Sequence, residues 1–261
     1  MRIGFIQYDV SHNVHENIAK VSNLIQNNYA DIFLLPELCD LGYLHNSREE
    51  LFQKSSPLNE NKMICFLKKL SVERHCAFIA GVAEKDDYHI YNSAILLKNG
   101  EIIGTYRKIH LSDFEKAFFT PGISNTVFTM DNVKIGVQIC FDLWFPEMSR
   151  EQIRQGANLL CTIGNFGSET TYHISKIRAI ENLTPLILCN RVGNEKNIQI
   201  DAYFLGRSSI IESNGIELVD SQDDIETCMV CDITLSNSKG NVICKDFISE
   251  INKHYIIKGG Y

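Results

Sequence analysis

Three residues of reactive type stand where short apolar runs end: Glu37 after Phe33-Leu34-Leu35-Pro36, Lys108 after Thr105-Tyr106-Arg107, and Cys140 after Gly136-Val137-Gln138-Ile139. In an α/β sheet, strand ends are where reactive side chains converge. A free thiol titrates near roughly 8.5, so Cys140 needs a base or a nearby positive charge to act as a nucleophile. Glu37 and Lys108 can supply one of each. Glu37 follows a strongly apolar run, where desolvation raises a carboxyl pKa and lets it take and return a proton near neutrality. Each residue also has a plainer reading. Cys140 could fill a buried strand end, the commonest fate of cysteine. Glu37 could sit in the first turn of a helix or on a solvated loop, and Lys108, beside Arg107, could be one of two surface cations.

The elements that would carry these residues follow from hydrophobic spacing. Ile3 to Tyr8 reads as a strand, and Asn13 caps a helix whose apolar residues Val14, Ile18, Val21 and Ile25 recur at three-to-four spacing. Asp31 to Leu35 is a second apolar run, and the right-handed crossover makes the two strands parallel neighbours. A helix from about Asn61 to Arg74 and a strand from Ala77 to Ala83 come next. Asn92 to Lys98 and Glu101 to Tyr106 flank Asn99-Gly100, a hairpin signal because both turn positions need positive φ. Ser124 to Met130 and Lys134 to Ile139 pair similarly around Asp131-Asn132. Beyond Cys140, Pro146 opens a helix that Gly156 stops. Asn158 to Ile163 and Pro185 to Cys189 read as strands on either side of a helix from Thr170 to Leu183. Arg207 to Val219 reads as a hairpin over Ser213-Asn214-Gly215. Hairpins within an alternating α/β pattern predict mixed rather than purely parallel sheets. The tail from Asn241 onward gives no clear pattern.

Composition bounds the class. The 261 residues, 44% of them hydrophobic, suffice for one large domain, 1–261, with no repeat, low-complexity stretch or linker to divide it. The formal net charge of −7 has no long basic or acidic run behind it, which argues against a nucleic-acid surface. No apolar run approaches the roughly 18 to 20 residues that cross a bilayer. The start, Met1-Arg2-Ile3-Gly4-Phe5-Ile6, has no basic leader or cleavage signal, so a soluble cytoplasmic protein is expected. Nine scattered cysteines in a chain of this size read as reduced thiols. The close pair Cys228 and Cys231 lies on a strand-like stretch, where residues three apart face opposite ways, which argues against a metal or redox pair.

Three segments together carry a family resemblance: Leu35-Pro36-Glu37, Tyr106-Arg107-Lys108-Ile109-His110-Leu111, and Cys140-Phe141-Asp142-Leu143-Trp144-Phe145-Pro146-Glu147. In this order, each at a predicted strand end, they resemble the signature segments of the nitrilase superfamily, the carbon-nitrogen hydrolases. Supporting matches run from Met1 to about residue 233 and include Glu115 with Phe119-Thr120-Pro121-Gly122, Arg178-Ala179-Ile180-Glu181-Asn182, and Asn190-Arg191-Val192-Gly193. The resemblance implies an αββα sandwich of two mixed β-sheets flanked by helices. It implies Cys140 as nucleophile, Glu37 as proton carrier, and Lys108 with the Phe141 backbone N–H as the oxyanion site, with Arg107 structural. It also implies Glu115 as a second glutamate that holds the lysine and positions substrate, although Glu115 and its neighbour Asp113 could equally be surface acids. Asp142 and Glu147 match family positions with structural work, Glu147 suiting a helix N-terminus. The implied chemistry passes through a thioester, releases ammonia and a carboxylic acid, and needs neither metal nor organic cofactor. Family members usually pair their sheets across a two-fold interface, so a homodimer or higher homo-oligomer is expected by analogy.

The resemblance also narrows the substrate to a small amide. Nitrilases usually carry Trp-Glu-Asn after the nucleophile, whereas Phe141-Asp142-Leu143 is similar to the amidase and carbamoyl-hydrolase branches. Family members acting on dicarboxylate monoamides often carry arginine at the position of Trp144, which would pair with a substrate carboxylate. Trp144 therefore points to a neutral or amine-bearing substrate, unless it is simply a core aromatic. Tyr43 and Phe166, each just beyond a predicted strand, are candidates for the pocket wall on the same footing. The branch that transfers acyl groups to amines carries membrane helices, which find no counterpart here. Two rivals stay open: a papain-like thiol hydrolase pairing Cys140 with His110 or His173, and a binding or scaffold protein of the same fold without activity.

Overall fold

The computed structural model describes residues 1–221, 224–235, 240 and 243–256. Its first half runs β1 (Arg2–Gln7), α1 (Val14–Ile25), β2 (Ile32–Leu34), α2 (Arg48–Lys54), α3 (Lys62–Glu73), β3 (Ala77–Asp86), β4 (His89–Lys98) and β5 (Glu101–Arg107). The second runs β6 (Val127–Met130), β7 (Val133–Ile139), α4 (Pro146–Arg154), β8 (Leu159–Gly164), α5 (Glu169–Asn182) and β9 (Leu186–Asn190), then β10 (Val192–Lys196), β11 (Asp201–Leu205), β12 (Ser209–Ile211), β13 (Glu217–Asp220), β14 (Thr227–Asp232) and α6 (Phe247–Ile256).

Local signals account for most of the boundaries. The Asn13 side chain accepts from the His15 N–H at 3.0 Å and starts α1. Asn99 and Gly100, with φ of 51° and 81°, turn β4 into β5. Pro146 opens α4 and Gly156 ends it at φ 95°. Three elements escape the periodicity. Helix α2 has 7 residues, too few for a repeat to show, and rests on its Ser47 cap. The ribbon of β10 and β11 is joined by Asn197–Ile200 without a glycine, and polar side chains occupy both its faces. Helix α6 lies in the tail that gave no pattern.

The strands form two six-stranded sheets, ordered β14-β1-β2-β3-β4-β5 and β13-β12-β9-β8-β7-β6, plus the two-stranded β10-β11 ribbon. In each sheet three parallel strands, β1-β2-β3 or β9-β8-β7, are flanked by antiparallel ones, so both are mixed. Ile3, Phe5, Ile32, Leu34 and Ile79 of the first sheet meet Ile135, Val137, Ile139, Leu159 and Ile163 of the second in one apolar layer. On the outer face of the first sheet, Phe33, Phe78 and Ala80 pack against Val21, Ile25 and Leu67 of α1 and α3. On that of the second, Leu160, Leu186 and Leu188 pack against Ile153 and Ala179 of α4 and α5. The layers are therefore α, β, β and α. Burial on both faces explains why the central strands read as unbroken apolar runs, and each fully buried Ile, Leu or Phe contributes roughly 1.5–3 kcal/mol.

Cys228 packs into the helix-side layer and Cys231 into the inter-sheet layer, so they face opposite ways. Among the described residues, no three His, Cys, Asp or Glu side chains group as metal ligands. Nor is any helix among them long and apolar enough to cross a membrane.

Candidate active site

The parallel registers set the ends of the central strands side by side: Ile139 of β7 lies opposite Ile163 of β8, which lies opposite Cys189 of β9. Cys140 is the first residue past β7. Its φ of 48° is left-handed, which costs a non-glycine residue about 1–3 kcal/mol unless its surroundings hold it there. The holding group is Asp142, a buried carboxylate in the 3-10 turn Cys140–Trp144. It accepts from the Ile139 N–H at 3.1 Å, the Tyr106 hydroxyl at 2.7 Å, and the His110 N–H and Nδ1 at 2.9 and 3.0 Å. One carboxylate thus ties the cysteine turn to the segment that carries Lys108.

Glu37 follows β2 and is fully buried. Leu38, next in the chain, has φ 49°, and the turn presses so closely on β3 that a Cβ at Gly81 would lie 2.6 Å from the Glu37 Cα. Glycine is therefore required at 81. Lys108, just past β5, is 1% exposed. Its backbone is clamped on both sides: its N–H donates to Asn92 O, and its carbonyl accepts from Gly122 N–H, each at 2.8 Å. Its side chain donates to Glu37 Oε1 at 2.8 Å and to Glu115 Oε1 at 2.6 Å. Glu115, fully buried, opens the 3-10 turn Glu115–Ala117 and accepts from the Ser112 N–H through Oε2 at 2.9 Å. A surface position for Glu115 is thereby overturned. Arg107, one residue away, faces oppositely, as alternation along a strand demands. It pairs with Glu84 at 2.5 Å and Asp86 at 2.7 Å and lies over the Tyr91 ring, lining a cleft of ≈ 460 Å³ that none of the three reactive residues enters.

Two carboxylates surround one ammonium here. Burial pushes the Glu37 carboxyl above its usual range and the Glu115 charge adds to this, while Lys108 pulls it back. For Lys108 burial works downward, but Glu115 and Glu37 together outweigh it and hold the ammonium well above its ordinary pKa. Burial likewise raises the Cys140 thiol, with Glu37 and Glu115 adding to the rise; Lys108 and the Asn165 backbone oppose it. Burial thus disfavours the thiolate. Glu37 Oε1 is held by Lys108 and Asn92, but Glu37 Oε2 is buried without a partner.

The remaining sequence-derived residues spread around this cluster. The Tyr43 ring lies 5.6 Å from Phe114 and edge-on to Phe204 at 6.3 Å. Burial, then the Glu115 charge, raises the Tyr43 phenol well above its ordinary pKa. Phe141 is half-buried against Phe145 and Trp144. Phe166 is buried and belongs to the apolar group against which Cys140 packs. Trp144 is 43% exposed, with Nε1 donating to Thr171 Oγ1 at 3.2 Å, so it is not a core aromatic. His110 stacks on Phe145 at 3.7 Å and binds Asp142, whereas His173 is exposed beside Glu169. The charges that weigh most on the thiol are those of Glu37, Lys108 and Glu115.

Sequence reasoning did not single out Asn92, whose Nδ2 donates to Glu37 Oε1 at 2.6 Å and Glu115 Oε1 at 3.1 Å, nor Asn165. The available signal was a lone amide in the otherwise apolar run Ile90 to Leu97, and another directly after the apolar strand β8.

An αββα sandwich that gathers a cysteine, two glutamates and a lysine beyond its strand ends defines a class, and the comparisons agree with it. The carbon-nitrogen hydrolase family model matches residues 2–239, and the chain belongs to that family. It is 34% identical over 224 residues to a protein of Pyrococcus abyssi named nitrilase, covering 84% of each chain. It is 30% identical over 261 residues to N-carbamoylputrescine amidase of Arabidopsis thaliana, covering 91% of this chain and 87% of the relative. Among solved structures, a carbon-nitrogen hydrolase of Helicobacter pylori G27 superposes with a TM-score of 0.83 at 24% identity, over 100% of this chain and 94% of that one, and shares the fold. Family and relatives together support a hydrolase acting on carbon-nitrogen bonds.

Proposed function

We propose that this protein hydrolyses the primary carboxamide of a small molecule through a Cys140 thioester, releasing ammonia and a carboxylic acid. The observation that carries the reading is the unpartnered, buried Glu37 Oε2 near a thiol whose ionisation burial disfavours. Such a thiol is not a preformed thiolate and needs a general base as it attacks. As the sulfur bonds to the carbonyl carbon, its proton passes to Glu37 Oε2 and the oxyanion is held by Lys108 and the Phe141 N–H. Glu37 then gives that proton to the amide nitrogen, the C–N bond breaks, and ammonia leaves. A water molecule yields a proton to Glu37 while its oxygen attacks the thioester; the C–S bond breaks and Cys140 regains its proton from Glu37. Glu115 holds Lys108 in place, and Tyr43, Phe141, Trp144 and Phe166 line the substrate's approach.

A carbamoyl amine presents the same –CO–NH2 head and fits the same cycle; a nitrile, suggested by the name of the Pyrococcus relative, is the rival. Ammonia release from a panel of aliphatic amides, carbamoyl amines, ω-amides and nitriles tests the reading. Turnover of the amides and carbamoyl amines is expected, and turnover of nitriles alone would overturn it. Because burial raises the Glu37 carboxyl, the acid limb of kcat/KM should fall above the usual carboxylate range.

A homodimer in the cytoplasm belongs to the same proposal. The exposed Ile177 and Ile180 of α5, beside the turn at Gly215, and the exposed Ile216 offer an apolar contact face, and the nine free cysteines suit a reducing compartment. Sedimentation of the purified protein tests the dimer.

A further inference from the structure

Asn165 is the first residue past β8, two beyond Ile163, which lies opposite Ile139, the residue before Cys140; its backbone lowers the thiol pKa. Its side chain is 7% exposed, yet neither Oδ1 nor Nδ2 has a hydrogen-bond partner. Each such orphaned group costs about 1–3 kcal/mol, so a buried amide with both ends free calls for an explanation. The neighbouring strand shows what a structural asparagine looks like. Asn190, at the end of β9, accepts from Phe166 N–H at 3.0 Å and donates to Phe166 O at 2.9 Å and Gly206 O at 2.8 Å. Asn190 joins chain segments, whereas Asn165 joins nothing.

A side-chain amide presents one acceptor and one donor side by side. The complementary ligand group offers a donor and an acceptor on adjacent atoms, as –CO–NH2 does. A nitrile and an ester each offer acceptors only. We infer that Asn165 is a specificity-determining residue that pairs with the scissile carboxamide, Oδ1 accepting from the substrate N–H and Nδ2 donating to its carbonyl oxygen. The inference rests on the reading of Cys140 as nucleophile and extends it. The pairing holds the nitrogen in one orientation as the carbon becomes tetrahedral, and it makes the site choose amides and carbamoyl amines over nitriles and esters of the same acyl group.

The test uses two alkylating reagents that differ only in this group, iodoacetamide and iodoacetonitrile. With either, the S–C bond forms, iodide leaves, and the thiol proton passes to Glu37. Rates of Cys140 alkylation are read by mass spectrometry for the wild type, Asn165→Leu and Asn165→Ala, each divided by the rate with free cysteine. The wild type should favour iodoacetamide, and that preference should fall by about 10- to 100-fold in both variants, the range expected when a buried polar pairing is lost. Iodoacetonitrile rates and their pH profile should hold within about twofold. An unchanged preference, or an equal loss with both reagents, would overturn the inference. Two variants guard against a misfolded one, and thermal unfolding identifies it. Absence of ammonia release from every amide would instead sink the proposed function, because the alkylation ratio is read without turnover.

Discussion

Among the described residues, a fully buried cation stands between two carboxylates at two places. At the candidate site Lys108 stands between Glu37 and Glu115. At the root of the β10-β11 ribbon, Arg191, fully buried, stands between Asp9 at 3.0 Å and Glu195. The second cluster is saturated. Arg191 also donates to Val10 O at 2.7 Å and lies over the Phe204 ring, and Glu195 accepts from the Tyr43 and Leu44 N–H groups, both near 2.9 Å or less, and from His12. No buried polar atom of Arg191 or Glu195 lacks a partner, whereas the first cluster leaves Glu37 Oε2 and Asn92 Oδ1 bare beside the thiol. The same charges thus do opposite work. A satisfied cluster pins the ribbon to the loop that carries Tyr43, and an unsatisfied one leaves polar atoms bare in the interior. Fold does not require the second kind, so its cost points to chemistry.

Substitutions can break this contrast from the catalytic side first. Cys140→Ala should remove ammonia release altogether, and Glu37→Gln should lower kcat by about 10³- to 10⁴-fold in the same assay. Glu37→Gln also removes one of two buried negative charges that share a single lysine, so its thermal unfolding midpoint should hold or rise. A falling midpoint would show that Glu37 is a structural ion like Glu195. The opposite pattern is expected at the saturated cluster. Arg191→Met leaves Glu195 buried without its cation and should cost about 3–5 kcal/mol in denaturant unfolding. What activity survives should show a raised KM through Tyr43 and a kcat near wild type.

His45 sharpens the contrast at the edge of the second cluster. Its ring is buried, stacks on His12 at 4.8 Å, and leaves both nitrogens without a hydrogen bond, with the Glu50 carboxylate 4.0 Å away. Burial, with His12 adding to it, pushes the imidazole down from the ordinary 6.5 to about 4. The unfolded chain therefore binds the proton first, and stability falls as pH drops from about 6.5 to about 4. His45→Phe should recover up to about 3 kcal/mol of that loss at the acid end, read as the difference between variant and wild-type unfolding curves. Asp40 slopes the other way, since burial raises its carboxyl to about 6, which is why the difference and not the wild-type curve is the measurement. The smallest effect belongs to Trp144→Ala. The ring is 43% exposed, so stability should change by less than about 1 kcal/mol, and a severalfold rise in KM would place it on the substrate's path.

Much of the fold could be read from the chain because the relevant forces act over a few residues. Asn99-Gly100, Pro146 and Gly156 marked their turns and caps through backbone sterics alone, and the apolar runs marked strands buried on both faces. The order of strands within the sheets, the ribbon and α2 were not readable, since strand partners are chosen by packing at long range and short or two-sided polar elements carry no period. The same division holds at the site. The types and order of Glu37, Lys108 and Cys140, set beside strand ends, were enough to point to the family. Only the tertiary structure decided that Glu115 is a buried partner of Lys108, that His110 is occupied by Asp142 and Phe145, and that Asn92 bonds both glutamates. The physical reason is that burial and Coulomb interaction depend on what stands across a few ångströms of space, and Lys108 meets a glutamate 71 residues away as closely as one 7 residues away.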